Sequence, residues 1–208
     1  MTDTDTPIAA ARPAPAVRLP DPLIIGLTGL AGVGKDTAAA YLHLHHRFEV
    51  HSFASPLRSM LETLCTDAGI DYAYCHERHL KEQPMPGLGV SYRHLAQTLG
   101  TEWGRKCIAP DLWVRLAELA LGLPDHPVHD RIVITDVRFA NEAAMIRGHR
   151  GVLVRIVRDV DPVRDHVSES EAAGLVQWRT LYNTGSREYL FDQIDVLMDL
   201  IEKQGVGR

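Results

Sequence analysis

The chain has 208 residues, of which 45% are hydrophobic and 24% are charged, and its formal net charge is -5. This length and composition suit one α/β domain with an inserted flap or two and a substantial core. The mildly negative charge argues against a nucleic-acid binder that depends on a large basic surface. No apolar stretch of about 18 residues is present, so no transmembrane helix is predicted.

Residues 1–21 are rich in Ala, Pro, Thr and Asp and have no hydrophobic periodicity, so we expect a disordered tail. The segment also lacks the charged and apolar regions of a secretory signal. The three cysteines, Cys65, Cys75 and Cys107, form no Cys-x-x-Cys pair. We interpret them as free thiols in a reducing compartment, which indicates a cytoplasmic protein.

The most specific motif is an apolar strand, Leu23–Thr28, followed by a glycine-rich turn and a helix. The turn from Gly29 to Lys35 fits the phosphate-binding pattern G-x-x-x-x-G-K. Its glycines let backbone N–H groups point at one anion, and the helix that follows directs its positive dipole end at the same phosphates. We therefore expect nucleotide phosphates to bind at Gly29, Gly32, Val33, Gly34, Lys35, Asp36 and Thr37.

Asp36 follows the loop lysine, where most such loops have a Ser or Thr whose hydroxyl binds Mg²⁺. A carboxylate supplies the oxygen ligands that Mg²⁺ prefers. We predict that Asp36 binds the metal or a metal-bound water and that Thr37 binds a phosphate oxygen. The structural alternative for the whole motif is a glycine turn that binds no ligand.

Strand and helix patterns alternate along the rest of the chain, which predicts right-handed βαβ units around a parallel sheet. The predicted helices cover about 34–46, 56–68, 91–99 with Ser91 as N-cap, 111–121 with Asp111 as N-cap, 141–148 and 188–204. The further predicted strands are 48–53, 131–135, 151–157 and 180–183. Residues 69–90 and 159–174 lack periodicity, so both are predicted to be mobile.

A second motif, Thr135-Asp136-Val137-Arg138, ends an apolar strand. Ligands of open α/β sheets bind beyond the carboxyl ends of the strands, so we expect Asp136 near the phosphate loop, holding Mg²⁺ through water. Capping of the helix near Ala140 is the structural alternative, and both roles can coexist. Arg138 suits phosphate oxygens. Glu142, one helical turn later, either orients Arg138 or lies on a solvated face.

A third motif places Arg93 and Gln97 four residues apart, and therefore on one helix face. A guanidinium group supplies charge for a phosphate, and an amide can donate to and accept from a base edge. The alternative is that both are solvated residues of an amphipathic helix. Trp103 and Trp113 either belong to the core or form a wall of a ligand pocket.

These motifs occur together with several others in one order: Gly34-Lys35-Asp36-Thr37, Phe53-Ala54-Ser55-Pro56-Leu57-Arg58, Lys81-Glu82, the run from Arg93 to Arg105, the run from Thr135 to Glu142, and His166-Val167-Ser168-Glu169. In this combination the chain resembles the phage-type deoxynucleoside monophosphate kinases, relatives of the adenylate-kinase-like P-loop kinases. The resemblance covers about residues 22–200. The Gly-Lys-Asp-Thr form of the loop is its most discriminating detail.

The resemblance implies an α/β fold, namely a P-loop kinase three-layer α/β/α sandwich with a parallel five-stranded sheet over residues 22–208. It also implies an acceptor-binding insertion at about 69–105 and a lid at about 158–174. The implied reaction is the ATP-dependent phosphorylation of deoxynucleoside monophosphates to diphosphates, with ATP as co-substrate and Mg²⁺ as cofactor.

The resemblance further implies roles for single residues. Arg58 and Arg93 would reach the acceptor monophosphate, and Gln97, Arg105, Arg138 and Glu142 would complete the acceptor site. Lys35, Arg138 and Arg158 would act on the transferring phosphoryl group. The adenine of ATP would pass Asn183 and Gly185, and Asp36 and Asp136 would be the metal ligands.

Two other functions stay open at this point. One is another small-molecule P-loop kinase, similar to the dephospho-coenzyme A kinases or the phosphomevalonate kinases, which share parts of the architecture. The other is a nucleotide-dependent regulatory switch, although a switch has no need for arginines outside the phosphate loop. We expect no nucleic-acid or membrane partner, and we leave both a monomer and a homodimer open.

Overall fold

The computed structural model describes residues 22–123, 127–158 and 174–205. In this part of the chain five parallel strands form one sheet with the order β2-β3-β1-β4-β5. The strands are β1 (Leu23–Thr28), β2 (Glu49–His51), β3 (Arg131–Ile134), β4 (Val152–Val157) and β5 (Arg179–Tyr182). The predicted tail, 1–21, and nearly all of the predicted lid lie outside the described residues.

Seven α-helices are found in the same part of the chain, and a π-helical segment, Thr98–Ile108, continues the fourth of them. The helices are α1 (Lys35–His46), α2 (Ser55–Asp67), α3 (Ala73–His76), α4 (Tyr92–Gln97), α5 (Leu112–Leu121), α6 (Ala140–Gly148) and α7 (Arg187–Gln204). None of the helices described combines the length and apolar character needed to cross a bilayer.

The sheet has apolar side chains on both faces because helices cover both of them. Ile24 of β1 packs in a core with α2, α5 and α6, whereas its neighbour Ile25 packs in a second core with α1 and α7. Both side chains are fully buried. The predicted three-layer α/β/α sandwich and its parallel five-stranded sheet are therefore confirmed.

The strand register brings the two main sequence motifs to one edge of the sheet. β1 lies between β3 and β4, with Gly26 opposite Ile134 and Leu153. The backbone N–H of Val137 donates to the carbonyl of Leu27 at 3.1 Å, so the segment after β3 runs beside the end of β1. The phosphate loop and Asp136 therefore follow neighbouring strands at their carboxyl ends.

Residues 69–90 do not match the prediction of a mobile, unstructured insertion. They contain the short helix α3, and Cys75 and Met85 are buried in the same core as α2. An isolated bridge between Pro84 and Ser91 closes the segment. Isolated buried side chains, and not a periodic apolar stripe, anchor this region. Because isolated apolar residues form no periodic pattern, the sequence did not predict this order.

Two predicted boundaries also change. The strand predicted at 48–53 is only three residues long, although Phe48 and Phe53 on either side of it are buried. Ser91 caps α4 as predicted, because its Oγ accepts from the N–H of His94. Asp111 precedes α5 but caps nothing, since its carboxylate instead pairs with Arg115 Nε at 2.8 Å.

The π-helical segment has a packing cause. The indole of Trp113 lies against Gly104, where any β-carbon would clash with the ring, and its Nε1 donates to the carbonyl of Gly100 at 2.8 Å. The wider turn makes room for this large side chain. Long π-helical stretches are rare and frequently occur at functional sites.

Candidate active site

The phosphate loop between β1 and α1 uses backbone conformations that residues with side chains avoid. Gly29, Gly32 and Gly34 have φ angles of 135°, 82° and 106°. A β-carbon on Gly29 would also clash with the backbone carbonyl of Ile156 on β4. Residues with positive φ in such a loop direct successive backbone N–H groups toward one concave side. This arrangement forms an anion site at the N-terminus of α1.

Two side chains brace this loop from opposite ends. Lys35 Nζ donates to the carbonyls of Gly29 and Leu30, both at 2.8 Å. Asn183, just after β5, donates from Nδ2 to the carbonyl of Val33 at 2.8 Å. The loop therefore keeps its shape through one contact within the loop and one long-range contact, from Asn183.

The remaining residues predicted for the nucleotide side are accessible. Asp36 is exposed in the first turn of α1, and Thr37 beside it is half-buried. Gly185 is exposed beside the ring of Tyr189. Arg158 is exposed directly after β4 and does not line the cavity described next.

A cavity of about 510 Å³ lies at the same edge of the sheet, between α2, α4, the π-helical segment and the residues after β3. Its wall contains every residue predicted for the acceptor site: Arg58, Arg93, Gln97, Arg105, Arg138 and Glu142. Aromatic side chains of Phe53, Tyr92, Trp113 and Phe139 form further parts of the wall. The structure thus brings together predicted residues that are up to 84 positions apart in the chain, as are Arg58 and Glu142.

Asp136 occupies the floor of this region and binds the start of α2. Its Oδ2 accepts from Ser52 Oγ at 2.6 Å and from the N–H of Ala54 at 3.1 Å, while Oδ1 accepts from the N–H of Phe53 at 2.9 Å. The predicted alternative, a cap on the helix near Ala140, is wrong, because Asp136 satisfies donors at the N-terminus of α2 instead. Arg58 Nη2 lies 3.9 Å from the same carboxylate.

Glu142 is buried, which corrects the alternative of a solvated helix face. Its Oε2 accepts from the backbone N–H groups of Arg138 and Phe139 at 2.7 and 3.0 Å, and its Oε1 accepts from Arg105 Nη2 at 2.6 Å. The Arg105 guanidinium also lies 3.8 Å from the centre of the Phe139 ring. Glu142 therefore fixes the backbone of Arg138 and the side chain of Arg105 at once.

The pKa of Glu142 is raised from its ordinary 4.5 to about 7, chiefly by burial and also by the nearby Asp136, although the two backbone N–H groups and Arg105 act to lower it. Lys81 shows the opposite effect. Its pKa is lowered, first by burial and then by the neighbouring charges of Arg58 and Arg93. Three basic groups therefore converge on one part of the cavity, where the charges of Arg58 and Arg93 disfavour the charge of Lys81.

Arg93 and Gln97 both face this cavity from α4, so the alternative of a solvated helix face is wrong for this pair. Arg93 forms an ion pair with Glu82, which comes from the segment after α3. Trp113 is at once buried core and cavity wall, whereas Trp103 is 40% exposed. The aromatic wall and the basic groups together give the cavity a chemistry that suits a ligand with a flat ring and an anionic end.

The chain is 32% identical over 194 residues to a protein of Acanthamoeba polyphaga mimivirus assigned as a deoxynucleotide monophosphate kinase, a match that covers 85% of this chain and 96% of that one. The chain belongs to the deoxynucleotide monophosphate kinase family. A deoxynucleoside-5′-monophosphate kinase of Escherichia phage T5 is 37% identical over a shorter stretch of 67 residues, which is 32% of this chain and 26% of the phage protein.

No family profile matches this member of the family. Among solved structures, a Thermus thermophilus protein aligns with a TM-score of 0.47 and 17% identity over 86% of this chain and 98% of that protein. The APS kinase of Mycobacterium tuberculosis aligns with a TM-score of 0.41 and 14% identity over 87% of this chain and 99% of that kinase. The shikimate kinase of Aquifex aeolicus aligns with a TM-score of 0.41 and 10% identity over 85% of this chain and 96% of that kinase. With its family, sheet order and phosphate loop, the protein is a P-loop kinase and hence a phosphotransferase.

Sequence reasoning missed several site residues of this kinase. Ser52 and Tyr92 had no recognised role, although Ser52 binds Asp136 and Tyr92 is a buried part of the cavity wall. Lys81 was noted only as part of a Lys-Glu pair, yet it lines the cavity and lies 5.5 Å from the centre of the Tyr92 ring. The only sequence signal for a role of Lys81 was its presence, as a basic residue, in a segment without hydrophobic periodicity.

Proposed function

We propose that the protein transfers the γ-phosphoryl group of ATP to a deoxynucleoside monophosphate and releases ADP and a deoxynucleoside diphosphate. The observation that carries this proposal is the position of the arginine-lined cavity beside the phosphate loop, at the carboxyl ends of β1 and β3. A kinase needs a donor site and an acceptor site that meet at one phosphorus atom, and this edge of the sheet supplies both.

The donor half of the proposal rests on the loop. Its positive-φ glycines and the N-terminus of α1 suit the β- and γ-phosphates of ATP, and Lys35 can turn from its loop carbonyls to a phosphate oxygen. Asn183, after β5, contacts the same loop, and with Gly185 two residues later it would form part of the adenine site. Arg158 extends from the end of β4 and would approach the transferring group from that side.

The acceptor half rests on charge and shape. A cavity of about 510 Å³ falls within the range of small-molecule pockets, roughly 300–1,000 Å³. Arg58, Lys81 and Arg93 offer positive charge at one part of it, which suits the monophosphate. Trp113 and Tyr92 offer apolar surfaces against which a base can pack, while Gln97 can donate to and accept from a base edge.

The acidic residues fit a Mg²⁺ ion that is bound mostly through nucleotide phosphates and water. Asp36 is exposed at the start of α1 and can contribute an oxygen ligand there. Asp136 already accepts three hydrogen bonds, so it would act on the ion through a bound water. When bound, Mg²⁺ neutralises charge that develops on the phosphate oxygens.

The chemical demands on the protein are modest. The acceptor phosphate is already an anionic nucleophile, so no strong general base is needed, and the barrier is lowered by positioning and by positive charge around the moving group. Glu142 acts by orientation: it holds Arg105 and the backbone of Arg138 in the cavity wall. Exclusion of water by the closed site protects ATP from hydrolysis.

A coupled assay of ADP formation tests the proposed acceptor. Purified protein with ATP and Mg²⁺ would be given deoxynucleoside monophosphates, ribonucleoside monophosphates, dephospho-coenzyme A and phosphomevalonate in separate reactions. We expect ADP to form with at least one deoxynucleoside monophosphate and the Lys35→Ala variant to be inactive with it. ADP formation with only dephospho-coenzyme A or phosphomevalonate would contradict the proposed substrate class but not the kinase fold.

A further inference from the structure

An arginine outside every motif of the sequence lies over the phosphate loop. A β-carbon added to Gly32 would lie 3.1 Å from Nη1 and 3.3 Å from Nη2 of Arg78, so the whole guanidinium end is near this glycine. Gly32 is exposed and has a φ of 82°. Arg78 therefore covers the accessible side of the loop residue that stands midway between Gly29 and Lys35.

Arg78 belongs to a single turn that reaches both halves of the site. The N–H groups of Leu80 and Lys81 donate to the carbonyl of Glu77 at 3.0 and 3.1 Å, which closes the turn. Arg78, at its start, points to the phosphate loop, and Lys81, at its end, lines the acceptor cavity. Only two residues of the chain thus separate the arginine at the phosphate loop from the lysine at the acceptor cavity.

This turn is held in place on both sides. Cys75, just before it, and Met85, just after it, are buried in the core under α2. The N–H of Arg93 on α4 donates to the carbonyl of Lys81 at 3.0 Å, so the cavity wall and the turn are joined directly. Arg78 is consequently fixed near the loop by its backbone.

Arg78 differs from several other arginines of the described chain in its ion pairing. Across residues 22–123, 127–158 and 174–205 no carboxylate pairs with its guanidinium, whereas Arg93, Arg105 and Arg115 each have one. A planar fork beside an anion-binding loop matches phosphate oxygens. We propose that Arg78 is a catalytic residue that binds the γ-phosphoryl group at the phosphate loop, an inference that rests on the proposed kinase function.

In the transfer step, an oxygen of the acceptor monophosphate forms a bond to the γ-phosphorus while the bond from that phosphorus to the β,γ-bridging oxygen breaks. ADP leaves with the electron pair, and no proton has to move. Negative charge on the equatorial oxygens is the feature that a guanidinium stabilises. Lys81 of the same turn faces the acceptor cavity, so the turn places one cation at each of the two sites.

Arg78→Ala, Arg78→Lys and the control Arg115→Ala would be compared, since Arg115 is an exposed arginine paired with Asp111 outside the cavity. Isothermal titration would measure the affinities for Mg·ADP and for the non-hydrolysable ATP analogue AMPPNP. We expect Arg78→Ala to lower the affinity for AMPPNP about tenfold and the affinity for Mg·ADP less than twofold. Turnover with the best acceptor should fall about 100-fold or more, with partial recovery in Arg78→Lys and no change in Arg115→Ala.

An unchanged ratio of AMPPNP to ADP affinity in Arg78→Ala, or turnover within threefold of the wild type, would overturn the assignment. The nucleotide titrations need no acceptor, so they decide on Arg78 even if the wild type phosphorylates no deoxynucleoside monophosphate. In that case the proposed function fails in its own assay. Arg78 is exposed, so its variants should fold, and circular dichroism of each variant checks this.

Discussion

The donor and acceptor regions are built in opposite ways. The phosphate loop is a continuous run from Gly29 to Lys35, braced by its own lysine and by Asn183. The acceptor cavity is assembled from α2, α4, the π-helical segment, α5 and the residues after β3. Several of these elements are far apart in the sequence. The first region depends on local backbone conformation, and the second depends on how distant elements pack.

Removal of the loop lysine should break the donor region alone. We expect Lys35→Ala to lower turnover about 1,000-fold, equivalent to about 4 kcal/mol, because it removes a preorganised positive charge from the transferring phosphoryl group. The affinity for the acceptor monophosphate, measured by titration without ATP, should stay within twofold. Lys203→Ala is the matched control, since Lys203 forms an exposed pair with Asp199 on α7. Near-native turnover of Lys35→Ala would contradict the donor assignment.

The acceptor region should make the stability of the protein depend on pH through Glu142. Because burial raises the pKa of Glu142 from 4.5 to about 7, the folded protein binds more protons here than the unfolded chain. This group's contribution to stability is therefore fully present below pH 4.5 and is lost as the pH rises through about 7, a change of about 3 kcal/mol.

The comparison with Glu142→Gln isolates this contribution, since the amide does not titrate. Urea denaturation at several pH values would give the free energy of unfolding of both proteins. Between pH 4.5 and 7 this free energy should fall in the wild type relative to Glu142→Gln. A difference that does not change with pH would mean that Glu142 keeps an ordinary pKa.

Truncation of Arg93 should damage only the acceptor region. We expect Arg93→Ala to raise the KM for the deoxynucleoside monophosphate about 30-fold, equivalent to about 2 kcal/mol, because a charge-assisted bond to its phosphate is lost. The KM for ATP should change less than twofold. Arg131→Ala, which removes an arginine paired with Glu202 away from the cavity, is the control. Equal losses for both substrates would argue against separate sites.

Loss of the brace at Asn183 should have the smallest effect. Asn183→Ala removes one hydrogen bond to the carbonyl of Val33, which is worth about 1 kcal/mol. We expect the KM for ATP to rise about fivefold with the acceptor KM unchanged. A larger change in the acceptor KM would mean that the loop and the cavity are coupled more tightly than their separate contacts indicate.

The contrast between the regions explains what the sequence could predict. The phosphate loop was predictable because glycine positions and a following helix act within a dozen residues, and the parallel sheet followed from alternating apolar patterns. The pairing of Asp136 with Ser52 and Phe53 was not, because it joins residues more than 80 positions apart. Arg78 was not predictable either, since its proposed role depends on the approach of its guanidinium to Gly32, which is distant in the sequence.

The most direct test of two adjacent sites is the binding of one molecule that occupies both. Adenosine, joined by five phosphates to the deoxynucleoside of the best acceptor, would be titrated into wild type, Lys35→Ala and Arg93→Ala. We expect the wild type to bind it at least 100-fold more tightly than ATP or the monophosphate alone, because the second half binds at high effective concentration. Both variants should lose most of that gain. Wild-type affinity no better than that for ATP would contradict a shared site.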